Sequence, residues 1–164
     1  MNPFKVIARV KPEGLWKLLK LAIPNILFLW STYQATKNCM SISTEHFDKK
    51  HYQNGRANAF RHALWNILIA KRCMKNNVGK ALEWTKKITD WHEETFFGQQ
   101  LPMLMDYHNN EVGRNLLKQN LEWTNEQFVS KLLTMTDEAF KIQEESELNQ
   151  YKNQLVYITD DHQG

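Results

Sequence analysis

The chain is 164 residues long, 42% hydrophobic and 24% charged, with six glycines and four prolines. That is one domain's worth of sequence, able to bury a core without disulfides or a structural metal. Its 19 Trp, Tyr and Phe residues exclude a disordered or collagen-like chain. Cys39 and Cys73, with no CxxC and no metal-ligand spacing, exclude a disulfide framework and a thiolate zinc site and read as free thiols. The net charge of +3 hides an asymmetry: residues 1–82 carry 14 basic residues against three acidic ones, and the remaining 82 carry 7 against 15. Either the basic half meets something anionic, or the two halves attract each other in the fold.

The expected architecture is all-α, one domain over residues 1–164 with about five helices in orthogonal or bundle-like packing. At the N-terminus two amphipathic helical pieces span about residues 13–40. The most apolar stretch, LWKLLKLAIPNILFLW from Leu15 to Trp30, is interrupted by Lys17, Lys20, Pro24 and Asn25. It is short for a membrane span and imperfect as a signal peptide, because the STYQA that follows lacks small residues at both cleavage positions. Pro24 is expected to open the second piece. Leu15, Leu18, Leu19 and Ala22 share a face that suits either the core or a membrane interface. No compartment follows from this, cytoplasmic or exported.

Next, the Asn54-Gly55 turn precedes a helix from about Ala57 to Lys75, closed by Asn76-Asn77. A helix from about Gly79 to Phe97 stops at Gly98 and Pro102, and another runs from about Met103 to Gln119. Thr124 and Gln127 have capping-box spacing and open a helix toward Gln150, with a break expected at Thr134-Met135-Thr136. The closing LVYI at 155–158 reads as a short strand or an extended tail, with no obvious pairing partner. Trp65, Trp84, Trp91 and Trp123 are expected to pack between helices. His46 and His51 are expected in a solvent-facing loop, and His162 in an acidic tail.

Three successive helices carry polar residues where apolar ones belong. His62, Asn66, Ile69 and Cys73 form one stripe. Ala81, Thr85, Ile88, His92 and Thr95 form another, with Glu93 beside it. Met105, His108, Val112 and Leu116 form the third, flanked by Asp106, Asn109, Asn110 and Gly113, the last a place for close backbone approach. A buried imidazole without a partner costs on the order of 1–3 kcal/mol. Three of them imply a shared network, ligand or metal. As a metal centre, His62, His92 and His108 with Glu93 or Asp106 would hold a divalent ion such as zinc and leave a water position open. Glu93 or Asp106 would serve as ligand or general base, Arg61 and Arg114 would clamp an anion, and Asn66, Asn109 and Asn110 would orient substrate or water. The alternative is a structural polar network needing no cofactor, since each helix supplies only one histidine and amides bridge helices equally well. No GxSxG, P-loop or GxGxxG is present, and nothing signals specific nucleic-acid binding.

NGRANAFRHALWN, WHEE and MDYHNNEVGRN, in that order over about residues 50–120, resemble an uncharacterised bacterial domain family. Its members read roughly NGxxDAFRHAxWN, HE and MDLHNNxxGR. The resemblance implies a small helical domain, free-standing or at the C-terminal end of secreted or toxin-like proteins, and no established activity. Arg61, His62, Trp65, Asn66, His92, Glu93, Asp106, His108, Asn109, Asn110, Gly113 and Arg114 match the motifs. Asn58 stands where the family pattern has Asp, which puts an acidic ligand or base at that position in doubt, although an amide oxygen still binds hard cations. The expectation is a metal-assisted hydrolase of an anionic ester or phosphodiester such as phospholipid, with peripheral membrane contact. The alternative is a non-catalytic binding or immunity-type module that meets a partner protein.

Overall fold

The computed structural model describes residues 10–75, 77–96 and 99–160, so the turn at Asn76, the stop at Gly98 and the tail His162 lie outside the described residues. Six α-helices are present among them: α1 Pro12–Ala22, α2 Ile26–Phe47, α3 Arg56–Cys73, α4 Val78–Phe96, α5 Gln100–Gln119 and α6 Asn125–Asp137. Short 3₁₀ turns at Ile23–Asn25, Lys50–Tyr52 and Glu145–Tyr151 join or follow them. The fold is all-α apart from one two-stranded parallel pair, β1 Phe140–Lys141 with β2 Val156–Tyr157.

α3 is the axis of the molecule, touching α2, α4, α5, α6 and β2. Its sequence explains this, because Ala57, Ala59, Phe60, Ala63, Leu64, Ile67, Leu68, Ile69 and Ala70 are all buried, and the polar Asn58, His62 and Asn66 are buried with them. A helix whose apolar and polar side chains both find partners inside lies in the interior. α5 approaches it closely at Gly113, where a Cβ would stand 2.3 Å from the carbonyl oxygen of Ala63. Only glycine permits that approach. Tryptophan N–H groups rivet the outer helices: Trp65 donates to Thr36 Oγ1 and Trp84 to Thr32 Oγ1, both at 2.8 Å, which fixes α2. Trp91 donates to the Gly14 carbonyl at 2.9 Å and fixes α1 to α4.

The ends of the elements follow local chemistry. Thr124 caps α6 in a reciprocal capping box with Gln127, as the spacing predicts. Pro24 sits inside the 3₁₀ turn, and α2 begins after it. Pro102 lies in the first turn of α5, where its missing N–H costs nothing, so that helix starts about a turn earlier than expected. α6 ends at Asp137, and the expected continuation toward Gln150 is instead β1 and a 3₁₀ turn. LVYI finds its partner there, with Phe140 opposite Val156. A satellite core of Met105, Ile142 and Val156 lies under this pair. Cys39 and Cys73 are free, buried thiols.

Candidate functional site

The polar residues of α3, α4 and α5 meet inside the bundle. Asn58, His62 and Asn66 succeed one another at four-residue steps on α3; Thr85, Thr89 and Glu93 do so on α4; Asp106, Asn110 and Arg114 do so on α5. All nine are buried. Four-residue spacing stacks each set on one helical face, so three polar stripes face a common seam.

His62 stands at the centre. Its Nδ1 lies 3.3 Å from Asn110 Oδ1 and 3.4 Å from Glu93 Oε1, and its Nε2 lies 3.4 Å from Asp106 Oδ2. One imidazole thus bridges two carboxylates from different helices. Arg61 donates an N–H to His62 Nε2 at 2.6 Å, which assigns the ring proton to Nδ1. Asn110 donates to Glu93 Oε1 at 3.0 Å, Asn66 donates to Asn110 Oδ1 at 2.6 Å, and Arg114 donates to Asn66 Oδ1 at 2.6 Å. Thr89 donates to the same Asn66 oxygen at 3.4 Å.

The network is not closed. Glu93 Oε2, both carboxylate oxygens of Asp106 and the side-chain oxygen of Asn58 are buried without a hydrogen-bond partner. Burying an acceptor without a partner costs about 1–3 kcal/mol, and more when it is charged. Burial pushes the Asp106 carboxyl up to about 7, with the neighbouring Glu93 charge adding to the rise and His62 and Arg61 opposing it. Burial also works to raise Glu93, but the His62 imidazole, helped by His92 and Asn110, outweighs it and holds this carboxyl below its ordinary value. The two carboxylates are pushed apart, the pattern of an acid and a base sharing one site.

An apolar cavity of about 220 Å³ abuts the cluster, lined by Thr36, Cys39, Met40, Tyr52, Arg61, His62, Trp65 and His92. His62 is therefore both the hub of the buried network and part of a cavity wall. Sequence reasoning missed Thr36, Cys39, Met40 and Tyr52 as site residues. They carry no motif, and only the fold brings α2 over α3.

The three-imidazole centre expected from the stripes does not form. Among the described residues, the group whose potential ligand atoms lie within 4.8 Å of one another is His62, Glu93 and Asp106. His92 turns one position away from the seam. Its ring packs edge-on against Trp65 at 5.1 Å and beside Phe96 at 4.9 Å, and burial there pulls its pKa down to about 4. His108 is half-buried on the far side of α5, with its Nε2 at 2.9 Å from the Gln154 carbonyl. Arg114 is buried with its guanidinium donating to Asn66 inside the network, and Arg61, not Arg114, lines the cavity. Asn109 does not face the site either. It brackets β2, donating to Val156 O at 2.9 Å and accepting from Val156 N at 3.0 Å. His51, expected in solvent, is fully buried against Thr44 Oγ1 at 3.1 Å, whereas His46 is exposed.

Residues 19–140 match the family model described as a domain of unknown function, DUF6973. No curated protein and no solved structure matches the chain. With most of its length and the whole polar seam inside the match, the chain belongs to this uncharacterised domain family.

Proposed function

We propose that His62, Glu93 and Asp106 bind a divalent cation and that the adjoining cavity hydrolyses an anionic ester or phosphodiester, such as that of a phospholipid. The observation that carries this reading is the set of buried carboxylate oxygens on Glu93 and Asp106 that have no hydrogen-bond partner. Two carboxylates and an imidazole are a donor set suited to zinc or another divalent ion. The potential ligand atoms of His62, Glu93 and Asp106 lie within 4.8 Å of one another, close enough to share one ion. When bound, such an ion supplies a water acidic enough to act as hydroxide near neutral pH.

The protein's own groups have separable roles. Glu93, oriented by Asn110, accepts a proton from attacking water or serves as a ligand. Asp106, with its raised pKa, holds a proton near neutral pH, and binding a cation there would release that proton to solvent. Arg61 donates to His62 Nε2 and also lines the cavity, which places its guanidinium to meet an anionic group bound there. Met40, Trp65 and Tyr52 offer apolar surface for the rest of the substrate. A role in a secreted or toxin-like bacterial protein accords with this chemistry.

Adding zinc or manganese to metal-free protein at about a hundredfold excess over Kd is expected to raise Tm by roughly 5–10 °C. Glu93→Gln and Asp106→Asn should abolish that rise together with turnover of a chromogenic phosphodiester or a short-chain phospholipid. Wild-type protein that neither gains stability with either metal nor turns over either substrate overturns the proposal.

A further inference from the structure

The junction of α1 and α2 reverses the usual order of a soluble surface. Trp16 is 61% exposed, Ile23 73%, Ile26 68%, Leu27 84% and Trp30 67%, with Leu19 also open. Trp16 and Leu19 of α1 and Ile23 at its C-terminal end follow one another at three- and four-residue steps. Ile26, Leu27 and Trp30 continue that surface across the Pro24 turn. Such a contiguous patch is uncommon on a monomer and marks an interaction surface.

The charges around it identify the partner. No acidic residue occurs between Glu13 and Glu45, while Lys17, Lys20 and Lys37 fall within that interval. Lys20 sits over the Trp16 ring at 5.3 Å, and Lys37 sits at 5.8 Å over Tyr33, whose ring packs against Trp30 of the patch at 5.7 Å. Lys17 is engaged by Glu94 at 3.1 Å, with both groups solvent-exposed. Exposed aliphatic side chains, amphipathic tryptophans and lysines in a segment that itself contains no acid are the composition of an in-plane membrane helix. A protein partner would equally cover the apolar residues, but it would not by itself select for the missing acids. No helix among the described residues is long and apolar enough to cross a membrane.

We infer that the α1–α2 elbow is a monotopic docking surface for an anionic lipid bilayer, seated by Ile23, Ile26, Leu27 and Trp30 and drawn down by Lys20 and Lys37. The inference stands on this surface alone and does not depend on hydrolysis. It also has a consequence for the cavity. Ile26, Trp30, Tyr33, Lys37 and Met40 follow one another at four-, three-, four- and three-residue steps, which keeps them in a single row along α2. That row ends at Met40 in the wall of the cavity beside His62. An amphiphile leaving the bilayer would follow this row, four apolar or aromatic side chains and the Lys37 ammonium, toward the cavity.

The test is flotation of the full chain with vesicles of phosphatidylcholine, with and without phosphatidylglycerol, needing neither metal nor turnover. The protein is expected to float with the phosphatidylglycerol vesicles, to be released by high salt, and to lose about tenfold in bound fraction with Leu27→Asp or Ile23→Asp. Both side chains lie outside the core, so an unchanged Tm certifies the fold of each variant. Failure to float, or flotation that both variants leave intact, overturns the inference. So does a dimer in vesicle-free solution that Leu27→Asp dissociates while no vesicle binds, which would assign the patch to a second copy.

Discussion

The α3–α4–α5 seam and the α1–α2 elbow are inverses of one another. The seam buries Asn, Thr, His, Glu, Asp and Arg side chains where apolar ones are expected, and the elbow exposes Ile, Leu and Trp where polar ones are expected. Each arrangement costs folding free energy, the first through desolvation and the second through apolar surface left in water. The bundle tolerates both because α3 is apolar on its remaining faces and supplies a core between them. The difference teaches that burial sets the cost of a substitution: changes in the packed seam should move stability far more than changes at the exposed elbow.

The largest expected effect is at the base of the seam. Gly113→Ala places a methyl against the Ala63 backbone, which has no side chain to move aside, and should cost about 3 kcal/mol or more in urea denaturation. Asn110→Ala comes next. It strips Glu93 Oε1, Asn66 Nδ2 and His62 Nδ1 of a shared partner, and should cost roughly 2–3 kcal/mol by the same measurement. A loss under about 0.5 kcal/mol would mean that the seam is wet and loosely held.

Asp106→Asn should have the opposite sign and depend on pH. The folded-state pKa of this carboxyl is raised to about 7, so the folded protein holds a proton that the unfolded chain releases above about pH 4. The carboxyl therefore weakens the fold progressively as pH rises from about 4 to 7. His92, pulled down to about 4, works against this by weakening the fold as pH falls below its ordinary value of 6.5. In metal-free protein the Asn variant should gain stability relative to wild type on going from pH 4 to pH 8, by on the order of 1 kcal/mol or more. A pH-independent difference would place Asp106 in contact with water. The smallest effect belongs to the elbow: Leu27→Asp should change stability by no more than about 0.5 kcal/mol, although it removes a leucine.

Much of the fold was legible because helical signals are local. α3, α4 and α5 begin and end within a few residues of the boundaries that caps, glycines and prolines imply. The capping box of α6 and the close approach at Gly113 could be read from residue types alone. The parallel pair was not, because Phe140 and Val156 signal no pairing until a turn brings them together. The site was half legible. His62, Asn66, Glu93, Asp106 and Asn110 lie at the centre as expected, but the apolar pattern of α4 aimed His92 inward. The seam instead takes Thr89, between the expected Thr85 and Glu93, and leaves His92 one residue over. A stripe of buried polar residues has no hydrophobic period, so the apolar neighbours mislead by about 100° of helical rotation. The signal that would have found it is the four-residue repeat of small hydroxyl side chains ending in a carboxylate.

Asn109 and Asn110 are adjacent in the chain yet serve different territories. One amide grips both polar atoms of Val156, and the next grips Glu93 and is held by Asn66. Neighbouring residues of a helix share a rigid backbone, so one peptide unit of α5 sets both the position of the C-terminal strand and that of the acidic centre.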